Sequence, residues 1–187
     1  CQYLKEWQLL GNNNCRIAIN VSPLQLKAGK FVDALQSIAL DEGVSADLLE
    51  VEITEESLLD GIEEHGRVST ELSRLRGLGI KIAIDDFGTG YSSLRYLRQF
   101  PADVVKIDKS FVSSDREKLF EPDICKAIVT MAESLSMEVI AEGIETPTQL
   151  LELQQLGFLL GQGFLVSRPL TFEEASQWAL AGRPSPA

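Results

Sequence analysis

Short runs of branched apolar residues alternate along this chain with longer stretches whose apolar residues recur at helical spacing. Period-two runs read as strands at Arg16–Val21, Leu49–Thr54, Ile80–Asp85, Asp103–Ile107, Glu138–Ala141 and Phe158–Gly161. The amphipathic stretches between them predict helices over Pro23–Leu40, Glu63–Leu78, Ser92–Gln99, Leu119–Leu135, Pro147–Leu156 and Phe172–Leu180, and "CQYLKEWQLLG" reads as the end of a further helix. Ser22-Pro23 and Thr146-Pro147 each place a capping side chain before a proline at the first helical position, and Gly43, Gly79 and Gly157 fall where helices should stop. Six βα units in series predict a parallel sheet covered by helices, either doubly wound or part of a (β/α)8 barrel.

The faces of the strands discriminate between these. Ile17, Ile19 and Val21 share one face and Asn20 lies on the other; Leu49, Val51 and Ile53 oppose Glu52; Ile80, Ile82 and Ile84 oppose Asp85; Val105 and Ile107 oppose Lys106. Strands covered by helices on both sides should be apolar on both faces. These four each carry a polar group near the C-terminal end, on the face away from the branched residues. A barrel accounts for that: the apolar face packs outward on helices, and the polar groups line the inner mouth where such barrels keep their active sites. Glu142, Glu145 and Gln162 follow the last two strands.

The converging set is Asn20, Glu52, Asp85, Asp86, Lys106, Glu142 and Gln162. Carboxylates crowded together repel and hold their protons unless cations neutralise them. Hard oxygen donors with an amide, and no histidine or thiolate, favour Mg²⁺ or Mn²⁺ over zinc. Taken singly, Glu52 could face solvent, the Asp85-Asp86 pair could cap a helix, and Lys106 could pair with Asp108. The shared placement at strand ends argues for one site. His65, Trp7 and Trp178 read as surface or packing residues.

Composition narrows the partners. The 187 residues carry a formal net charge of −11, with no Lys/Arg block, so a nucleic-acid polymer is not an expected partner. A phosphate-bearing ligand would need a metal to screen it. No apolar run reaches membrane-spanning length. Cys1, Cys15 and Cys125 form neither a CxxC pair nor a zinc spacing and read as reduced thiols in a cytoplasmic domain. The tail 181–187 is expected to be disordered.

The segments "NVSPLQL", "VEITEESLL", "IAIDDFGTGYSSLRYLRQFPADVVKIDKSFV", "AEGIET" and "GQGFLVSRPL", in this order, resemble the successive motifs of the EAL domain family, bacterial phosphodiesterases acting on cyclic di-GMP. The resemblance implies a modified TIM-like (β/α)8 barrel over residues 1–180, here lacking the first two strands and the Glu-Ala-Leu signature with its metal-ligand glutamate. It implies two-metal hydrolysis of cyclic di-GMP to linear pGpG, with two Mg²⁺ or Mn²⁺ ions per site. Asn20, Glu52 and Asp85 resemble ligands of the first metal. Asp85 resembles the bridge to a second, with Asp86 beside it. Lys106 resembles the lysine that holds the attacking water, and Glu142 the acidic group near that water and the second metal. Glu55 resembles the support of the loop after Asp86; Ser92, Ser93, Glu145 and Gln162 resemble further active-site or loop positions. The Phe87–Ser93 loop resembles a segment coupling dimer contacts to metal binding. A homodimer, flanking GGDEF or sensor domains and a membrane-attached parent protein fit the family, as does the alternative of an inactive cyclic di-GMP receptor or regulatory module. Leu159 departs from the family, which often has an aspartate there.

Overall fold

The structure is a computed structural model and describes residues 1–12, 15–59, 65–89, 97, 100–112 and 120–180. Six parallel strands form one sheet among the described residues: β1 (Ile17–Asn20), β2 (Leu49–Thr54), β3 (Lys81–Phe87), β4 (Val104–Ile107), β5 (Glu138–Ala141) and β6 (Leu160–Gly161). Their spatial order is their chain order. A doubly wound sheet reverses direction at a switch point. Here no reversal occurs, so right-handed crossovers place every connecting helix on the same side. That leaves one face under helices and one face concave, which is a curled part of a barrel.

The register identifies the two faces. Asn20 pairs with Glu52, Glu52 with Ala83, Ala83 with Val104, and Lys106 with Ile140. Residues in register point the same way, so Asn20, Glu52, Asp85, Lys106 and Glu142 belong to the concave face. Leu49, Val51, Ile53, Ile80, Ile82, Ile84, Val105 and Ile107 point the other way and are all at most 2 % exposed. They form the centre of the core, against Leu26, Leu35, Leu72, Leu75, Val129 and Leu153 from the helices. Curvature shows in the reach of long side chains. Lys81 on β3 pairs with Glu138 on β5 across β4, and Lys106 on β4 pairs with Glu52 on β2 across β3. Next-but-one strands in a flat sheet stand about 10 Å apart. The intervening residues, Val104 and Ala83, are short enough to be spanned.

The helices are α1 (Gln2–Leu9), α2 (Pro23–Lys27), α3 (Phe31–Glu42), α4 (Glu55–Leu59), α5 (His65–Gly77), α6 (Pro122–Ser134), α7 (Pro147–Leu156) and α8 (Phe172–Leu180). Both expected proline-led starts are capping boxes: Ser22 with Gln25, and Thr146 with Gln149. Gly43 and Gly157 end their helices in the left-handed conformation. The single helix expected over Pro23–Leu40 is two, because Gly29 takes φ 68° between them. β2 and β5 have the expected limits, and the other strands differ from them by one or two residues at an end. The expected helix Ser92–Gln99 and the tail 181–187 lie outside the described residues, apart from Leu97. Helices from opposite ends of the chain meet: Phe172 of α8 stacks on Tyr3 and Trp7 of α1, and Trp7 Nε1 donates to Ser176 Oγ at 2.8 Å. The three cysteines are free; Cys125 is fully buried, and burial pushes its thiol up to about 11, so it stays neutral. Among the described residues no helix is long and apolar enough to cross a membrane.

The β5 exit loop and the chain after β6 touch backbone to backbone. Gln162 N–H donates to Ala141 O, Ile144 N–H to Gln162 O, and Leu165 N–H to Ile144 O. A Cβ built on Gly163 would lie 2.2 Å from Ile144 O. Gly163→Ala is therefore expected to destabilise the fold by about 1–3 kcal/mol through overpacking, read as a lower Tm by circular dichroism; an unchanged Tm would mean the two segments can separate freely.

Candidate active site

The centre of the concave face is a lysine. Lys106 is 4 % exposed, and its Nζ lies 2.7 Å from Glu52 Oε1, 2.7 Å from Glu142 Oε1 and 3.2 Å from Asp85 Oδ1. It does not pair with Asp108, whose carboxylate instead accepts the Ser110 N–H and caps the turn Lys109–Phe111. Burial alone would favour loss of the proton. The hydrogen bonds Lys106 donates to Glu142 and Glu52, with the charges of those carboxylates, outweigh burial and hold the ammonium's pKa above the ordinary lysine value. The lysine is thus charged at any physiological pH.

The carboxylates around it outnumber it. One ligand oxygen each from Asp85, Asp86 and Glu142 lies within 4.8 Å of the others, while Glu52 joins the group through Lys106. Burial raises the pKa of Asp86, and the charges of Asp85 and Asp108 raise it further. Burial raises that of Glu142 too, against the pull of Lys106. Gln162 Nε2 donates to Glu142 Oε1 at 2.7 Å, so this carboxylate is fixed from two sides.

Strand alternation would send Asp86 to the helix-covered face. A β-bulge prevents this. Ile84 pairs with Val105 but Phe87 pairs with Ile107, so Asp85 and Asp86 together occupy the place opposite Lys106. Asp86 takes φ 53°, a left-handed conformation uncommon for a non-glycine residue. That is how two adjacent acidic residues come to serve one site. The chain leaves β3 through Gly88, whose φ is 98° and whose N–H donates to Glu55 Oε2 at 2.8 Å. The Phe111 ring closes over Gly88 so tightly that a Cβ there would lie 2.8 Å from it.

Of the residues expected from sequence, Asp85, Asp86, Lys106, Glu142, Glu52 and Gln162 are brought together by these contacts. Asn20 stands in register beside Glu52 on the same face and is exposed. Glu55 sits one loop away, holding Gly88. Glu145 is exposed, and its backbone N–H donates to Gln149 Oε1. Ser92 and Ser93 lie outside the described residues. Leu159, where the resemblance expects an aspartate, is 93 % exposed and apart from these contacts. Two contributors escaped the sequence reading: the bulge, and the turn Lys109–Phe111 behind Gly88. The positive charge of Lys106 and the glycine after the acidic pair were the available signals.

The donor set fits hard divalent cations. Asp85 Oδ1 is buried and accepts no hydrogen bond, although the Lys106 ammonium lies 3.2 Å away. A buried anionic oxygen left without a donor is costly. Beside it stand carboxylates that one ammonium cannot neutralise. Oxygen-only ligands of this kind suit Mg²⁺, Mn²⁺ or Ca²⁺.

Comparisons with known proteins agree with this geometry. The chain is 39 % identical over 183 residues to the cyclic di-GMP phosphodiesterase NbdA of Pseudomonas aeruginosa, covering 98 % of this chain and 23 % of NbdA. Its fold matches the crystal structure of the EAL domain of Mycobacterium smegmatis DcpA with a TM-score of 0.90 at 35 % identity, over 99 % of this chain and 82 % of that one. It also matches Klebsiella pneumoniae BlrP1, solved as a manganese and cyclic di-GMP complex, with a TM-score of 0.77 at 34 % identity, over 89 % of this chain and 42 % of that one. The chain spans about a fifth to a quarter of the length of the curated relatives it matches. The EAL domain family model matches residues 1–169. With the motifs, the sheet order and the acidic mouth in agreement, this chain belongs to the EAL domain family.

Proposed function

We propose that this chain hydrolyses one phosphodiester bond of cyclic di-GMP, giving linear pGpG, at a site that holds two divalent cations, Mg²⁺ or Mn²⁺. The observation that carries the reading is the buried, donorless Asp85 Oδ1 beside Asp86, Glu142 and a permanently charged Lys106. The relatives' printed names supply the substrate: NbdA is named a cyclic di-GMP phosphodiesterase, and BlrP1 was solved with that nucleotide and manganese.

In this reading Asn20, Glu52 and Asp85 hold one cation, and Asp85, Asp86 and Glu142 the other. Bound there, the cations neutralise phosphate charge and lower the pKa of a water. The chain's own groups do the rest. Lys106 has three N–H donors; Glu52 and Glu142 take two, and the third is left for the attacking water's oxygen. Glu142, whose pKa burial raises above the ordinary carboxylate value, takes a proton from that water. The water oxygen bonds to phosphorus as the bond to the 3′-oxygen breaks; the electron pair of that bond goes to the 3′-oxygen, which takes a proton from solvent water and leaves as the 3′-hydroxyl. Glu55 holds the β3 exit loop through Gly88, and Gln162 fixes Glu142. Ser92, Ser93 and Glu145 are assigned to the substrate or loop side of the site. A homodimer, flanking GGDEF or sensor domains and a cytoplasmic position complete the proposal. The domain is assigned to residues 1–180.

Incubation of the chain with cyclic di-GMP and MnCl₂, with pGpG followed by chromatography, tests the reading; nucleotide binding without turnover would make the chain a receptor. Asp85→Asn keeps shape but removes a charge, and turnover should fall by roughly 10²–10³-fold with circular dichroism unchanged; near-normal turnover would reject the metal-holding role. Lys106→Ala should lower kcat more than it weakens nucleotide binding, and equal losses would count against its place at the water. Burial raises the pKa values of Asp86 and Glu142 above the ordinary carboxylate values, so protons compete with a cation for them to a higher pH than for free carboxylates. Mn²⁺ affinity measured by titration calorimetry should therefore tighten as pH rises through and just above the ordinary carboxylate range; a flat profile there would mean these groups are not ligands.

A further inference from the structure

The mouth of the site is underpinned by a row of contacts running across four strand-exit loops. Glu55, after β2, accepts the Gly88 N–H after β3. The Phe111 ring, after β4, lies against Gly88. At the far end is Gln149, on the first turn of α7, 7 % exposed and with both ends of its amide used. Its Oε1 accepts from Glu145 N–H and Thr146 N–H at 2.9 Å each, and from Thr146 Oγ at 3.2 Å; these groups belong to the loop that leaves Glu142. Its Nε2 donates to Val112 O at 3.2 Å, at the end of the turn that carries Phe111. The β4 and β5 exits are also pressed together directly, since a Cβ on Gly143 would lie 2.4 Å from Lys109 Cβ.

We propose that Gln149 is a positioning residue for the acidic cluster: its buried amide ties the loop carrying Glu142 to the Phe111 turn, and through Phe111 and Gly88 sets where the Asp85-Asp86 pair stands. The functional meaning rests on the divalent-cation reading above; the tie itself does not. Half of the amide's work is ordinary helix capping, in which glutamate at this position serves as well as glutamine. The other half, the N–H to Val112 O, glutamate cannot supply. The two roles therefore separate by substitution.

The test compares Gln149→Glu, Gln149→Met and, as a capping control, Thr146→Ala. Two quantities are read on the whole chain well below its Tm: the Kd for Mn²⁺ alone, and amide hydrogen exchange at Gly88 and Val112. Gln149→Glu and Gln149→Met should weaken Mn²⁺ by about tenfold, the scale of losing a group that orients metal ligands, and should speed exchange at Gly88. Thr146→Ala should lower Tm and leave both quantities near wild type. Charge alone would make Gln149→Glu bind a cation more tightly, so weakening points to lost geometry. Unchanged exchange and Kd in Gln149→Glu would overturn the proposal and leave Gln149 a capping residue. A wild-type chain that binds no Mn²⁺ would overturn the cation reading, and accelerated exchange at Gly88 in Gln149→Glu would still establish the tie.

Discussion

Everything at the mouth of this sheet follows from placing like charges side by side away from water. Glu52, Asp85, Asp86 and Glu142 come from three strands and their exits, and a single buried ammonium faces them. Lys106 stays charged because two carboxylates bond to it; the pKa values of Glu142 and Asp86 are raised chiefly by burial, with the neighbouring aspartate charges adding to it. Removing one partner from a buried ionic group is far more damaging than never having built it. The lysine therefore cannot be understood as a surface salt bridge. It is the internal counter-charge of the acidic mouth, and the residual negative charge is what a divalent cation would take up.

The opposite end of the concave face uses the same chemistry for a different end. Arg16 pairs with Glu50, whose pKa burial raises, and Lys81 pairs with Glu138. There each carboxylate has its own cation, whereas at the mouth several carboxylates share one lysine. At the reactive end the backbone makes room: the bulge turns Asp86 inward, and Gly88 and Gly143 admit Phe111 and Lys109 at distances no Cβ would permit.

How much of this was legible varies by residue for physical reasons. The two faces of each strand follow from a period of two, so the polar positions of β1 to β4 could be read without coordinates. Asp86 was placed in the set beside Asp85, but how it turns inward was not readable, because its direction depends on a register slip against β4, a partner some twenty residues downstream. The Ser22 and Thr146 caps were visible because capping is local. Gln149 was half visible for the same reason: its partners Glu145 and Thr146 lie within four residues, but Val112 lies 37 residues away. The break at Gly29 carried a signal that helical periodicity on either side concealed.

The aromatic seam between α1 and α8 has a bearing on how the molecule is made. Strands added in chain order give mostly neighbour-to-neighbour contacts, which can form progressively from one end. Phe172 wedged beside Tyr3 and Trp7, with Ser176 bonded to Trp7 169 positions away, is the exception. During synthesis that latch has to wait until Phe172 and Ser176 have left the ribosome. Until then Tyr3 and Trp7 lack the cover of Phe172, and the growing protein is open to misassociation through them.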